Sequence, residues 1–174
     1  SQGRAGPKLL TFQHHHDALY QTVPEARFAN AIEAATRYGW ELVAHYVAEA
    51  LAAMQLGIPV HYAATAIDLL RIYSSGAFVV STRLHGAIAA LSCGVPAIVL
   101  GPNDVRISDA ASAFGDLLPT MNTLPAVEWA STYGDAERSA MSGSIIRFKK
   151  QALLRYNEVL SPWISEFVGT AGAC

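Results

Sequence analysis

Cysteine is almost missing from this sequence. The two that occur, Cys93 and Cys174, stand far apart, one inside an apolar helical segment and one at the last residue. With no Cys-x-x-Cys spacing, a disulfide-built scaffold and a cysteine-based metal or redox centre are excluded. Charge is scarce as well: 15% of the 174 residues are Asp, Glu, Lys or Arg, and they nearly cancel, to −2. That balance supplies no clustered basic face, so neither nucleic acid nor an anionic membrane surface is an expected partner, and any anion must be held locally. Long apolar runs are absent too. The longest nearly uncharged one, "GAIAALSCGVPAIVL" from Gly86 to Leu100, is broken by Ser92, Gly94 and Pro96 and falls short of the roughly 20 residues a membrane-spanning helix takes. No transmembrane segment is expected. The opening "SQGRAGPKLLTF" has neither an apolar signal core nor a cleavage site, so a cytoplasmic location is expected, and its first residues read as the trimmed end of a longer product.

What the chain has is core. Hydrophobic residues make up 52%, which fits one compact domain over residues 1–174 and excludes a disordered chain. Short β-like runs alternate with helical stretches and show no solenoid period. Strands are predicted at Lys8 to Phe12, Glu41 to Tyr46, Pro59 to Tyr62, Ala77 to Ser81 and Ala97 to Leu100. Between the first two, "TVPEARFANAIEAATRYG" has capping-box spacing at Thr22 and Glu25, an apolar face of Phe28, Ile32 and Ala35, and a closing Gly39. "AEALAAMQLG" and "AIDLLRIYSSG" also read as helices ending in glycine. The β-α-β alternation predicts an α/β fold: a Rossmann-like, doubly wound parallel sheet with helices on both faces. Beyond Arg106 a short helix, Ser108 to Phe114, precedes a less structured stretch to about Gly143. A long amphipathic helix, Ser144 to Leu160, with Ile146, Leu153, Leu154, Tyr156 and Leu160 as its apolar residues, closes the domain, and Pro162 is expected to kink or end it.

In such a sheet, ligands bind beyond the carboxyl ends of the strands. "STRLHGAIAALSCG" puts Arg83 and His85 there, at the start of a helix that Gly86, Ala87, Ala89 and Ala90 keep slim enough to lie close to the sheet or to a ligand. Free first-turn N–H groups, the positive end of the helix dipole and an arginine fork then converge on one spot, which suits a phosphate or a carboxylate. The same residues allow a second reading, in which Arg83 pairs with a carboxylate or caps a carbonyl and His85 is a satisfied helix-start histidine.

The wider segment "IDLLRIYSSGAFVVSTRLHGAIAALSCGVPAIVLGPNDVR" resembles the signature region of the polysaccharide pyruvyl transferase family: a strand ending in Ser or Thr, Arg-x-His-Gly, a small-residue helix, Gly-x-Pro, another strand and a polar loop. The resemblance is tight from Ala66 to Gly115 and loose elsewhere. It implies the donor-binding half of a glycosyltransferase-B-like fold, with the acceptor domain outside this chain or supplied by a homo-oligomer partner. It also implies transfer of an enolpyruvyl group from phosphoenolpyruvate onto the hydroxyls of a saccharide or glycolipid, in exopolysaccharide biosynthesis of the cell envelope, with no cofactor beyond that donor. Arg83, Leu84, His85 and Gly86 match the donor-binding motif, Leu84 through its backbone, and His85 is a binder of the donor first and a general acid second.

Other residues on the same rim are weighed by position. "FQHHHDA" places His14, His15 and His16 in a loop after the first strand. Adjacent histidines in an extended loop point different ways, so a cleft role is expected and a metal site is not. Asn103 and Arg106 follow the strand Ala97 to Leu100, where Arg106 is either a second anion contact or half of a surface ion pair. His45 and His61 read as core or sheet-end histidines. Two other functions share the architecture: a nucleotide-sugar glycosyltransferase, for which Asp104, Asp109 and Asp116 are ribose-binding candidates by position alone, and a non-catalytic partner domain.

Overall fold

The computed structural model describes residues 6–11, 33, 35–100, 105–121 and 135–171. Six parallel strands form one sheet in the order β3-β2-β1-β4-β5-β6: β1 (Lys8–Thr11), β2 (Glu41–Ala44), β3 (Val60–Tyr62), β4 (Phe78–Ser81), β5 (Ala97–Leu100) and β6 (Thr120–Met121). Every adjacent pair is parallel, with Leu9 beside Glu41 and Val79 across the inner ladders and Val99 beside Thr120 at the far edge. The five predicted strands are all present. The sixth went unread because "TM" is only two residues long and follows a proline.

Successive side chains of a strand point to opposite faces, and here each face has its own core. Leu10, Leu42, Phe78, Val80 and Ile98 pack on one side with Ala35, Trp40, Ala53 and Ile58. Leu9, Val43, Val79, Ala97 and Val99 pack on the other with Tyr73, Ala87, Ala90, Leu91, Ile107 and Ile145. The first face is covered by the end of a helix at 35–38 and by α1 (Val47–Gln55). The second is covered by α2 (Ala66–Ser75), α3 (Leu84–Ser92), α4 (Val105–Phe114) and the start of α5 (Asp135–Ala171). The helices on both faces follow from central strands that are buried throughout, as in "FVVS" of β4. The capping box expected at Thr22 and Glu25 lies outside the described residues.

Local chemistry sets the helix ends. Thr65 caps α2 by accepting the Asp68 backbone N–H at 3.1 Å. Gly94, at φ 80°, closes α3 in the left-handed region that glycine enters without cost, and the Val95 N–H returns to the Ala90 carbonyl at 2.9 Å. Lys149 of α5 donates to the Ser92 carbonyl at the same end of α3, at 2.5 Å.

The closing helix departs from its prediction in three ways. It begins at Asp135 rather than Ser144, because "DAERSAMS" is rich in helix formers and one internal glycine costs only about 1 kcal/mol. It also runs through Pro162. Its packed face is Met141, Ile145 and Phe148, spaced i, i+4, i+7: Ile145 is buried and Phe148 meets Phe114 with ring centroids 5.6 Å apart. Ile146, Leu153, Leu154 and Tyr156, read as the apolar face, are exposed. An amphipathic pattern marks a stripe only to within a residue, and only the first turns of α5 lie over the described sheet.

Candidate functional site

The chain runs β1, β2, β3 outward on one side of the sheet and then crosses to place β4 on the other side of β1. The order of strands therefore reverses between β1 and β4, the point at which open α/β sheets form a ligand crevice at their carboxyl ends. Thr11 is the last residue of β1 and Ser81 the last of β4, and their hydroxyls meet at 2.7 Å. Ser81 also accepts the Arg83 N–H at 3.0 Å and donates to the Arg83 carbonyl at 2.6 Å. This closed loop of bonds turns the backbone out of β4 and sets Arg83, in extended conformation, as the residue before α3.

Arg83 does pair with a carboxylate. Its Nη2 bonds Glu49 Oε1, and the two side chains are only 14% and 2% exposed. Glu49 sits in the first turn of α1, and its Oε2 accepts the backbone N–H groups of His45 at 2.9 Å and Tyr46 at 3.3 Å. One buried carboxylate thus ties the end of β2, the start of α1 and the guanidinium together. The Arg83 Cζ lies 5.1 Å from the centre of the Tyr46 ring, which forms a cation–π floor. A guanidinium carries five donors in a rigid fork, so it can serve a buried carboxylate and a ligand at the same time.

Beneath this pair lies a hydroxyl cluster. Tyr73 of α2, fully buried, bonds His45 Nε2 through its Oη at 2.7 Å, and its hydroxyl lies with those of Ser81 and Thr11 beneath Gly86. Burial raises the Tyr73 pKa, so the phenol stays protonated. His45 is pushed down to about 4, first by burial, then by the Arg83 charge, with His85 adding to the same direction. Its imidazole is therefore neutral around pH 7.

Gly86 shows which of the two close approaches open to the slim helix its missing side chain serves. A Cβ there would come within 2.8 Å of Ser81 Oγ, 2.9 Å of Tyr73 Oη and 3.2 Å of Thr11 Oγ1. The glycine lets α3 lie on the hydroxyl cluster, on its sheet side, rather than opening its backbone to a ligand. His85, one residue earlier, is exposed, and Leu84 is partly buried.

Arg106 stands exposed in the first turn of α4, after β5, on the same rim as Arg83. His14, His15, His16 and Asn103 lie outside the described residues, as does Asp104. Among the described residues no three His, Cys, Asp or Glu side chains come together as a metal would require. His61, read as a core or sheet-end histidine, bonds Glu41 at 2.5 Å across β3 and β2, with both side chains about one-third exposed.

Glu49, Tyr73 and Thr11 were not foreseen at the site, and His45 was placed at a sheet end without its partners. A local signal existed only for Glu49, which follows the helix-start residue Tyr46 by the three positions of a capping box.

A parallel sheet with a polar crevice at its reversal point, an arginine held at a helix start and helices on both faces define a Rossmann-type domain with a place for a ligand. The description of polysaccharide pyruvyl transferase matches residues 9–104, more than half of the chain, and the protein belongs to that family. Comparison with curated proteins found no match. Among solved structures, the chain is similar to the glycosyltransferase of kitacinnamycin, with 16% identity and a TM-score of 0.53, over 91% of this chain and 43% of that one. Weaker likenesses are the spinosyn forosaminyltransferase SpnP, with 14% identity and a TM-score of 0.47 over 81% of this chain and 39% of that one, and the glycosyltransferase SnogD from Streptomyces nogalater, with 16% identity and a TM-score of 0.43 over 84% and 44%. The chain spans less than half the length of each. The first likeness establishes the glycosyltransferase-B-like fold. No helix among the described residues is long and apolar enough to cross a membrane.

Proposed function

We propose that this chain is the donor-binding domain of a pyruvyl transferase that takes phosphoenolpyruvate and builds a pyruvate ketal on two sugar hydroxyls. The observation that carries the reading is the place of Arg83 and His85: at the first turn of α3, beside the reversal point of the sheet, with the guanidinium buttressed by Glu49 and Tyr46. Phosphoenolpyruvate presents a carboxylate and a phosphate, and a planar fork beside the N–H groups of a helix start suits both. Ketal formation needs a proton delivered to the methylene carbon, attack of one hydroxyl on the adjacent carbon, and displacement of phosphate by a second hydroxyl. His85, exposed beside that spot, is the candidate for donor contact and for the proton. Arg106 on the next helix is the candidate for a second anion contact.

In this reading no cofactor is required and residues 1–174 act as a single domain. A second half, or a second copy of the chain, reads the saccharide or glycolipid acceptor. The donor places the reaction in the cytoplasm, at the membrane periphery when the acceptor is a glycolipid, as a step in exopolysaccharide biosynthesis. The likeness to glycosyltransferases supports the alternative donor, a nucleotide sugar.

Thermal shift with phosphoenolpyruvate against uridine diphosphate sugars separates the two, because only a bound ligand raises the melting temperature. Calorimetry on Arg83→Lys then tests the site. Lysine keeps a positive charge against Glu49 and loses the planar fork, so donor affinity should fall by roughly 1.5–3 kcal/mol with little change in stability. Unchanged affinity in that variant, or stabilisation by nucleotide sugars alone, rejects the reading.

A further inference from the structure

Tyr46 is held in place without being buried. It is the residue before α1, at the carboxyl end of β2, and its backbone is pinned on both sides: its N–H bonds Glu49 Oε2 at 3.3 Å, and its carbonyl accepts the N–H groups of Glu49 and Ala50 at 3.1 and 3.2 Å. From there the ring reaches Arg83, which follows β4, so the contact passes over the end of β1, the strand between them. The guanidinium lies 5.1 Å from the ring centre, yet the residue is 58% exposed. Ring surface is therefore open to solvent at the reversal point of the sheet itself.

A single exposed apolar residue on a protein surface needs no explanation. Tyr46 differs because its position is fixed twice, by the cap of α1 and by the arginine, so a ligand lying on it has little ordering of the ring to offset. Tyrosine also joins an apolar body to a polar tip, which suits a ligand that is itself part apolar and part polar. His85 belongs to the same crevice, since its charge is felt at His45, the residue before Tyr46. Arg83, the exposed His85 and an open aromatic surface thus share one rim.

We infer that Tyr46 is a specificity-determining residue whose exposed ring surface packs on the apolar C–H face of a saccharide ring, next to the anion held by Arg83. The inference rests on the donor reading above and deepens it, because the acceptor then touches this domain as well as whatever completes the cleft. Two sugar hydroxyls must reach the donor carbon, and reacting atoms come to roughly 3–3.5 Å before they bond. A donor on Arg83 therefore brings the sugar to the ring that Arg83 touches. A pyranose carries C–H groups on its faces and hydroxyls around its edge, so stacking one face on Tyr46 leaves the edge free to meet the donor. The negative face of the ring repels a carboxylate or phosphate, which keeps the anion on the guanidinium and the helix N–H groups.

Ligand-observed NMR on the chain as it stands tests this, with the methyl glycosides of glucose, galactose and mannose as probes and 2-phospholactate, an unreactive relative of phosphoenolpyruvate, filling the anion site. At least one glycoside should bind and show magnetisation transfer between its ring C–H protons and those of the Tyr46 ring. Tyr46→Phe, which keeps the ring, should retain this binding, and Tyr46→Leu should weaken it roughly 10-fold, about the size of one aromatic contact. Affinity for phosphoenolpyruvate, measured by calorimetry on Tyr46→Leu, should fall less, because Glu49 still holds Arg83. Three results overturn the inference and leave the donor reading in place while phosphoenolpyruvate still binds the parent: no glycoside binds, the contact in the parent lies away from Tyr46, or Tyr46→Leu loses both affinities equally. Uridine on the Tyr46 ring in place of the glycosides overturns both readings, as does a parent that binds neither phosphoenolpyruvate nor 2-phospholactate.

Discussion

Arg71 and Arg83 each face a carboxylate, and the two pairs teach opposite lessons. Arg71 and Asp68 sit one turn apart on α2, three-quarters and one-half exposed, with Asp68 held below the usual carboxylate range first by the Thr65 hydroxyl and then by Arg71 itself. That pair is local, solvated and screened, and such pairs contribute little. Arg83 and Glu49 come from segments 34 residues apart and lie almost out of water. Desolvation there is offset in part because Glu49 also takes two backbone N–H groups and Arg83 has the Tyr46 ring beneath it. The buried pair is thus a commitment of the fold, and it holds the Arg83 guanidinium at the crevice.

The largest expected effect breaks that contrast directly. Glu49→Ala leaves a guanidinium buried without its carboxylate and should cost about 3–5 kcal/mol of stability. Arg71→Ala should leave the denaturation midpoint where it is. Urea titrations of the two variants against the parent decide the matter, and equal midpoints for both would mean that the Arg83 pair is no more structural than the Arg71 pair. Gly86→Ala comes next. The new methyl meets three hydroxyls already fixed in hydrogen bonds, one of them at the end of a rigid tyrosine ring, and overpacking of this kind costs about 1–3 kcal/mol. A fully stable Gly86→Ala would show that the cluster yields easily.

A smaller effect concerns pH. The folded His45 titrates at about 4, against 6.5 for a free imidazole. A depressed histidine pKa means that the unfolded chain takes up a proton first. Stability from this group is therefore complete above pH 6.5, falls as pH drops from 6.5 to 4, and changes no further below that. With solvent screening of a partly exposed ring allowed for, the loss should be about 2 kcal/mol. The readout is the difference between parent and His45→Gln in denaturation free energy across that range, since carboxylates titrate in both. Parallel curves would contradict the assigned environment of His45.

The elements that could be read in the sequence are those written in contiguous residues. "AFVVS" and "PAIVL" announce central strands because both faces of a doubly covered sheet demand apolar side chains. The motif of Arg83 and His85 is legible for the same reason, since a strand end and a helix start lie within five residues. Glu49, His45, Tyr73 and Thr11 were not legible as partners. They come from four segments, and what brings them together is the strand order, in which β1 separates β2 from β4 and α2 packs beneath α3. Gly86 was legible as a close approach to the sheet or to a ligand, but not which, because a sequence shows that space is needed without showing on which side.

Gly86 and Gly143 sharpen the same point at the smallest scale. Both are glycines in helices, and glycine in a helix interior is worth about 0.5–1 kcal/mol less than alanine, through backbone entropy alone. At Gly86 that penalty is outweighed by the hydroxyls beneath it. At Gly143 a Cβ would meet no described residue closer than Arg147 Nη1, at 3.5 Å, an ordinary contact with the far end of a flexible side chain. Nothing in the packing of α5 against the described residues therefore calls for the glycine, and among them its helical position carries the cost without a return. Gly143→Ala should raise stability by about 0.5–1 kcal/mol, seen as a small upward shift in melting temperature with the denaturant slope unchanged. A loss of stability would mean that Gly143 serves a contact from outside the described residues, and that the two glycines are alike after all.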